Sequence, residues 1–166
     1  MIFELPGLIS FNDYGDWVKY LAVIYSSFRN DFIDNKTFFN RKIVQVRKEP
    51  MFQEKEKTFW HIISEGGIEG ARTPDMQRCA RIKWPKHIID SYEHEDVLYW
   101  ENTRRKNGTT ARCACFCVGD WEYLVILEIR DRYVLLISAY PLTYDHAKKK
   151  CQKEYNEYHE NRKRPL

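Results

Sequence analysis

His61 is the residue in this chain best suited to moving a proton, because an imidazole changes charge near neutral pH and can work in either direction. It stands in the apolar block Thr58-Phe-Trp-His-Ile-Ile-Ser64, followed by Glu65 and a glycine-rich stretch. A histidine in such a block also serves as a hydrogen-bonded core residue, so both readings stand at this point. Close behind come Arg72, Arg78, Arg81 and Lys83, with Trp84 at the end of the cluster. Guanidinium forks match phosphate oxygens in bidentate geometry and can steady the extra negative charge of a pentacoordinate phosphorane. Ion pairs with Glu65, Glu69 and Asp75 are the alternative use of the same cations. An imidazole beside such a cluster supplies the parts that phosphodiester cleavage through a neighbouring hydroxyl requires.

Ser138 and Tyr140 share a strand face by period two at the end of the apolar run Tyr133-Val-Leu-Leu-Ile-Ser-Ala-Tyr140. A hydroxyl and a phenol emerging together there could hydrogen-bond a phosphate or orient the histidine. No Gly-x-Ser-x-Gly elbow surrounds Ser138, which argues against a serine-hydrolase nucleophile. Trp100 and Glu101 with Arg104 and Arg105 form an aromatic and basic patch suited to stacking on a base and pairing with its phosphate. Half-buried strand aromatics give the same pattern.

Other chemistries lack their parts. The chain has no Walker loop, no Gly-x-Gly-x-x-Gly, no His-Glu-x-x-His and no Cys-x-x-Cys, so neither a nucleotide cofactor nor a standard metal site is expected. Five cysteines cannot all pair, and Cys113, Cys115 and Cys117 alternate along one run, which points three thiols along one strand face rather than around an ion. Small apolar residues filling a central strand, in a reducing compartment, fit this better. No run approaches the eighteen or so apolar residues of a membrane span. The start, Met-Ile-Phe-Glu-Leu-Pro, lacks a basic n-region and a small-residue cleavage site, so a cytoplasmic location is expected. The net charge of +3 is too mild to imply nucleic acid by itself. It is uneven, however: from His146 to Leu166 seven cations face three carboxylates. A solvated helix face with a frayed tail would carry the same run.

The elements that must position these groups follow from spacing and punctuation. Asn12 or Asp13 can cap a helix in which Trp17, Leu21, Ile24 and Phe28 recur at helical spacing. Lys42-Ile-Val-Gln-Val-Arg47 alternates as a short strand, and residues 51–57 read as a charged, flexible connection. Residues 66–76 read as a loop, and Pro85 opens a short helix through Ile88, Ile89 and Tyr92. Val97–Arg105 and Thr109–Val118 flank Asn107-Gly108, a strong hairpin signal, and Trp121–Ile129 and Arg132–Tyr140 are two further strands. A last helix runs from Asp145 through His159. The expected fold is α+β in one domain over 1–166, with a central four- to five-stranded antiparallel sheet packed by the N-terminal and C-terminal helices. Residues 1–36 form an N-terminal helical segment, 37–160 the core and 161–166 a basic tail.

Phe59-Trp-His-Ile-Ile-Ser64, Arg72-x-Pro-Asp-x-x-Arg-Cys-x-Arg-Ile-x-Trp84, Val97-Leu-Tyr-Trp-Glu-Asn102, Glu122-Tyr-Leu-Val-Ile-Leu-Glu128 and Tyr133-Val-Leu-Leu-Ile-Ser-Ala-Tyr140 with Tyr144-x-His146 resemble the phage and mobile-element branch of the barnase/EndoU/colicin/RelE-like nucleases. The likeness covers roughly residues 38–158. The resemblance implies a helix or two on a four-stranded antiparallel sheet and a metal-independent RNase without cofactors, of toxin or phage-defence type. It also implies His61 as general acid or base, Arg78 and Arg81 at the scissile phosphate, and Ser138 and Tyr140 at the family's Ser-Ala-Tyr strand end. RNA, either tRNA or mRNA, would be held by Arg72, Lys83, Trp84, Trp100, Arg104 and His146, and an antitoxin or immunity protein would be a partner. The Cys-Ala-Cys-Phe-Cys strand and the first thirty residues lie outside the family pattern. The alternative is a catalytically silent module that binds RNA or a protein partner, as adaptor or inhibitor, through the same basic and aromatic face.

Overall fold

In a computed structural model describing residues 2–66 and 72–163, the helical spacing near the N-terminus becomes α1 (Trp17–Arg29), which buries Tyr20, Leu21, Ile24 and Phe28. Its cap is Asp16, whose carboxylate accepts the Val18 N–H, not Asn12 or Asp13. Those two lie in a 3-10 turn over Phe11–Asp13, and Gly15 then takes a left-handed φ of +67° that only glycine adopts freely.

Two short strands, β1 (Phe38–Phe39) and β2 (Lys42–Gln45), precede α2 (Lys57–Ile63), β3 (Ser64–Glu65), β4 (Thr73–Pro74), α3 (Met76–Ala80) and α4 (Trp84–Asp90). The second half supplies β5 (Leu98–Lys106), β6 (Thr109–Val118), β7 (Tyr123–Ile129), β8 (Tyr133–Pro141) and α5 (Asp145–Lys163). Asn107 and Gly108 both have positive φ, as a two-residue turn that follows the right-handed strand twist demands.

The fold is α+β, but the sheet differs from the expected one. Among the described residues it has six strands in the order β1-β2-β8-β7-β6-β5, and it is mixed. β5 to β8 form the expected antiparallel meander, whereas β2 joins the free edge of β8 in parallel, with Val44 opposite Val134. A parallel partner needs a long crossover, and here nearly ninety residues separate the two.

Alternation sends the two faces of the sheet to different helices. Ala114, Phe116, Val125, Leu127, Val134, Leu136 and Ala139 meet Phe28, Phe59, Ile63, Ile88 and Ile89 from α1, α2 and α4. Cys113, Cys115, Cys117, Leu124 and Ile126 share the other face with Trp100 and meet Cys151 of α5. A bulge between β7 and β8 places Leu136 opposite Leu127 but Ser138 opposite Ile126, which reverses the parity of β8. Ser138 and Tyr140 therefore belong to the α5 side. All five cysteines are buried free thiols, and burial pushes Cys115 and Cys117 up to about 12. No helix among the described residues is long and apolar enough to cross a membrane.

Candidate functional site

Helix α2 sends Thr58, Phe59, Ile62 and Ile63 into the core, which leaves Lys57, Trp60 and His61 along its outer side. Lys57 and His61 are one turn apart and so lie in line. With Trp17, residues 50–53, Ser64, Arg72 and Pro74 they line a cleft of about 600 Å³. The segment read as a flexible connection is one of its walls. Phe52 and Lys55 exchange backbone hydrogen bonds around a turn in which Gln53 and Glu54 are left-handed. The Trp60 indole N–H donates to the Phe52 carbonyl at 2.8 Å, and the two rings meet edge-on at 5.3 Å. Phe52 remains 59% exposed, so an aromatic face is open beside the imidazole.

Two cations of the cluster, Arg72 and Arg78, are tied to the backbone of this wall. Arg72 donates to the carbonyls of His61 (3.1 Å), Ser64 (2.6 Å) and Gly66 (2.5 Å), offsetting the negative end of α2. Arg78 donates to the same Ser64 carbonyl at 2.8 Å. It is positioned by Asp75, whose carboxylate caps α3 by accepting the Gln77 and Arg78 N–H groups.

A smaller cleft of about 120 Å³ lies past the ribbon in which Ser64 pairs with Pro74 and Glu65 with Thr73. Glu65, Asp75, Arg78, Tyr140, Tyr144 and Ala147 are among its lining residues. The Arg78 guanidinium lies over the Tyr140 ring, 5.1 Å from its centroid. Burial raises the Tyr140 phenol above its ordinary range, with Arg104 and then Arg78 acting against it.

Of the residues singled out in the sequence, His61 and Arg72 share the larger cleft, and Arg78 and Tyr140 meet at the smaller one, while Arg104 lies on β5 opposite Ala111 and lines neither. Ser138 does not join them: it is buried, and it faces the opposite side of the sheet from the core that α2 packs on. Arg81 donates to the Gln77 carbonyl and side chain and lies over Trp84, whose indole N–H donates to the Pro6 carbonyl. Trp84 is thereby part of the seat for the N-terminal segment, and Lys83 is exposed beside it. Trp100, expected to stack on a base, is 1% exposed beneath α5 against Trp121 and Tyr155, a position no base can reach. His146 is exposed and stacks on Tyr144 at 5.5 Å.

Lys57, Trp17 and Phe52 are among the lining residues that the sequence did not mark as part of a site. Lys57 could have been found from its four-residue offset to His61. Trp17 looked like core because it sits on the apolar stripe of α1, and nothing local marks Phe52 as its neighbour across the cleft. Cys113, Cys115, Cys117 and Cys151 pack within the apolar cluster beneath α5, and among the described residues there is no group of three or more His, Cys, Asp or Glu side chains placed to hold a metal ion. Comparison with protein-family models, curated proteins and solved structures finds no match to this chain.

Proposed function

We propose that this protein is a metal-independent endoribonuclease of the barnase/EndoU/colicin/RelE-like kind, a toxin or phage-defence enzyme acting on tRNA or mRNA in the cytoplasm. The observation that carries the reading is the placement of His61 and Lys57 in line on one wall of a large cleft, with Trp17, Phe52 and Trp60 around them. Aromatic faces accept unstacked bases, and an imidazole within that cleft can take a proton from a ribose hydroxyl. In the reaction, His61 removes the 2′-hydroxyl proton as that oxygen attacks phosphorus. The P–O5′ bond breaks, the leaving oxygen takes a proton from the Lys57 ammonium, and the products are a 2′,3′-cyclic phosphate and a 5′-hydroxyl. Arg78, across the ribbon, meets an adjacent phosphate. The antiparallel meander β5 to β8 with helices against it is consistent with that nuclease arrangement. A cognate antitoxin or immunity protein would act by covering the cleft, whose rim exposes Met51 and Phe52.

One observation favours the second reading, a silent RNA- or protein-binding module. The donors of Arg72 point at three backbone carbonyls, and Ser138 faces away, so the cleft holds fewer groups for the transition state than the sequence suggested. Incubating the purified protein with tRNA or mRNA in EDTA separates the two. Discrete fragments ending in cyclic phosphate support the nuclease, and salt-sensitive binding that leaves the RNA intact supports the module.

A further inference from the structure

The hairpin formed by β5 and β6 outgrows its sheet. Pairing of β6 with β7 ends at Cys113 and Glu128, whereas β5 and β6 continue through four more pairs, from Thr103 with Arg112 to Lys106 with Thr109. The ribbon 103–112 has no further strand beside it among the described residues, and all of it except Arg104 and Ala111 is exposed. Its sequence, Thr-Arg-Arg-Lys-Asn-Gly-Thr-Thr-Ala-Arg, carries four cations and no carboxylate. Among the described residues only Arg112 of these cations has a carboxylate partner, Glu101 at the base of the ribbon, at 2.6 Å.

A two-stranded ribbon with no apolar side chain larger than Ala111 buries nothing that would explain its extension. Arg105 and Arg112 are diagonal neighbours on one face, and Arg104 and Lys106 share the other, so the arm carries like charges together on both sides. A polyanion relieves that repulsion. A protein partner would need an aromatic or aliphatic anchor, and a single strand would need rings for its bases to stack on; residues 103–112 offer neither. Arginine, lysine, threonine and asparagine are the donors that contact sugar and phosphate along a double helix.

We infer that the 103–112 ribbon is an arm that lies along the phosphates bordering a groove of a double-helical RNA stem. The inference rests on the RNA reading above and names the structured part of the substrate, next to the unpaired part that enters the cleft.

The test measures binding of the full chain to a labelled RNA hairpin and to a single strand of equal length, as a function of salt. R105E/K106E is compared with K19E/K36E, which makes the same change in net charge at exposed positions outside the ribbon. The ribbon variant is expected to lose about tenfold or more in hairpin affinity and to flatten the salt slope by about two, with the control near wild type. Equal loss in both variants, no loss in either, or equal loss for the single strand overturns the inference. Cleavage of an unpaired oligonucleotide is scored separately, so the arm can fail while the nuclease reading stands, and the reverse.

Discussion

The Arg78 guanidinium lies 5.1 Å from the centre of the Tyr140 ring while its Nη1 donates to the Ser64 carbonyl, so one side chain joins the end of β8 to the ribbon between the two clefts. Arg78→Ala removes a charge-assisted hydrogen bond and a ring contact, and is expected to cost about 1–2 kcal/mol in urea denaturation. Tyr140→Phe keeps the ring and is expected to stay within about 0.5 kcal/mol of wild type. A cleavage defect in Tyr140→Phe would assign the hydroxyl a part in the reaction.

Arg72 and Arg81 look alike in sequence and are built in differently. Arg72 holds three backbone carbonyls from a half-buried position, whereas Arg81 donates to Gln77 within its own turn and lies over the Trp84 ring. Arg72→Ala is expected to cost about 2 kcal/mol or more, and Arg81→Ala about 0.5 kcal/mol or less, in the same assay.

Glu101 ties the base of the β5–β6 hairpin together, accepting from Arg112 at 2.6 Å and from the Tyr99 hydroxyl at 2.8 Å. Burial pushes its carboxyl up, but these hydrogen bonds and the Arg112 charge outweigh it and hold the group below its ordinary 4.5. Because the folded value is depressed, the stabilisation is complete above about pH 4.5 and fades as pH falls through the folded value. The melting temperature of Glu101→Gln is therefore expected to lie below wild type at neutral pH, with the gap closing in acid. A gap that is constant from pH 7 to pH 3 would contradict the assignment.

Phe52, with an exposed ring at the cleft rim, contributes little to the core. Phe52→Ala is expected to leave stability within about 0.5 kcal/mol and to weaken RNA binding by about 1 kcal/mol or more, read by titration with a short labelled oligonucleotide.

What was legible in the sequence was local. Asn107-Gly108 named its turn, Pro85 named the start of α4, and the Trp17-to-Phe28 stripe named α1, because each depends on backbone sterics or on one helix face. The pairing of β2 with β8 was not legible, since alternation in Lys42–Gln45 says which side chains share a face and nothing about which distant strand lies alongside. The same limit governs the candidate site. Period two correctly put Ser138 and Tyr140 on one face, but only the packing of Phe59, Ile62 and Ile63 decides that α2 carries His61 to the other side of the sheet. Arg72 and Arg78 were visible as cations, while their carbonyl partners depend on where the ribbon of β3 and β4 turns.

The central claim, that His61 is the proton-transfer group of an RNA-cutting cleft, is tested most directly by end-analysis of RNA treated with wild type and with His61→Ala at matched concentration in EDTA. The account predicts 2′,3′-cyclic phosphate ends from wild type and their loss in the variant, with an unchanged melting curve. Intact RNA from wild type, or the same ends from both proteins, would contradict it.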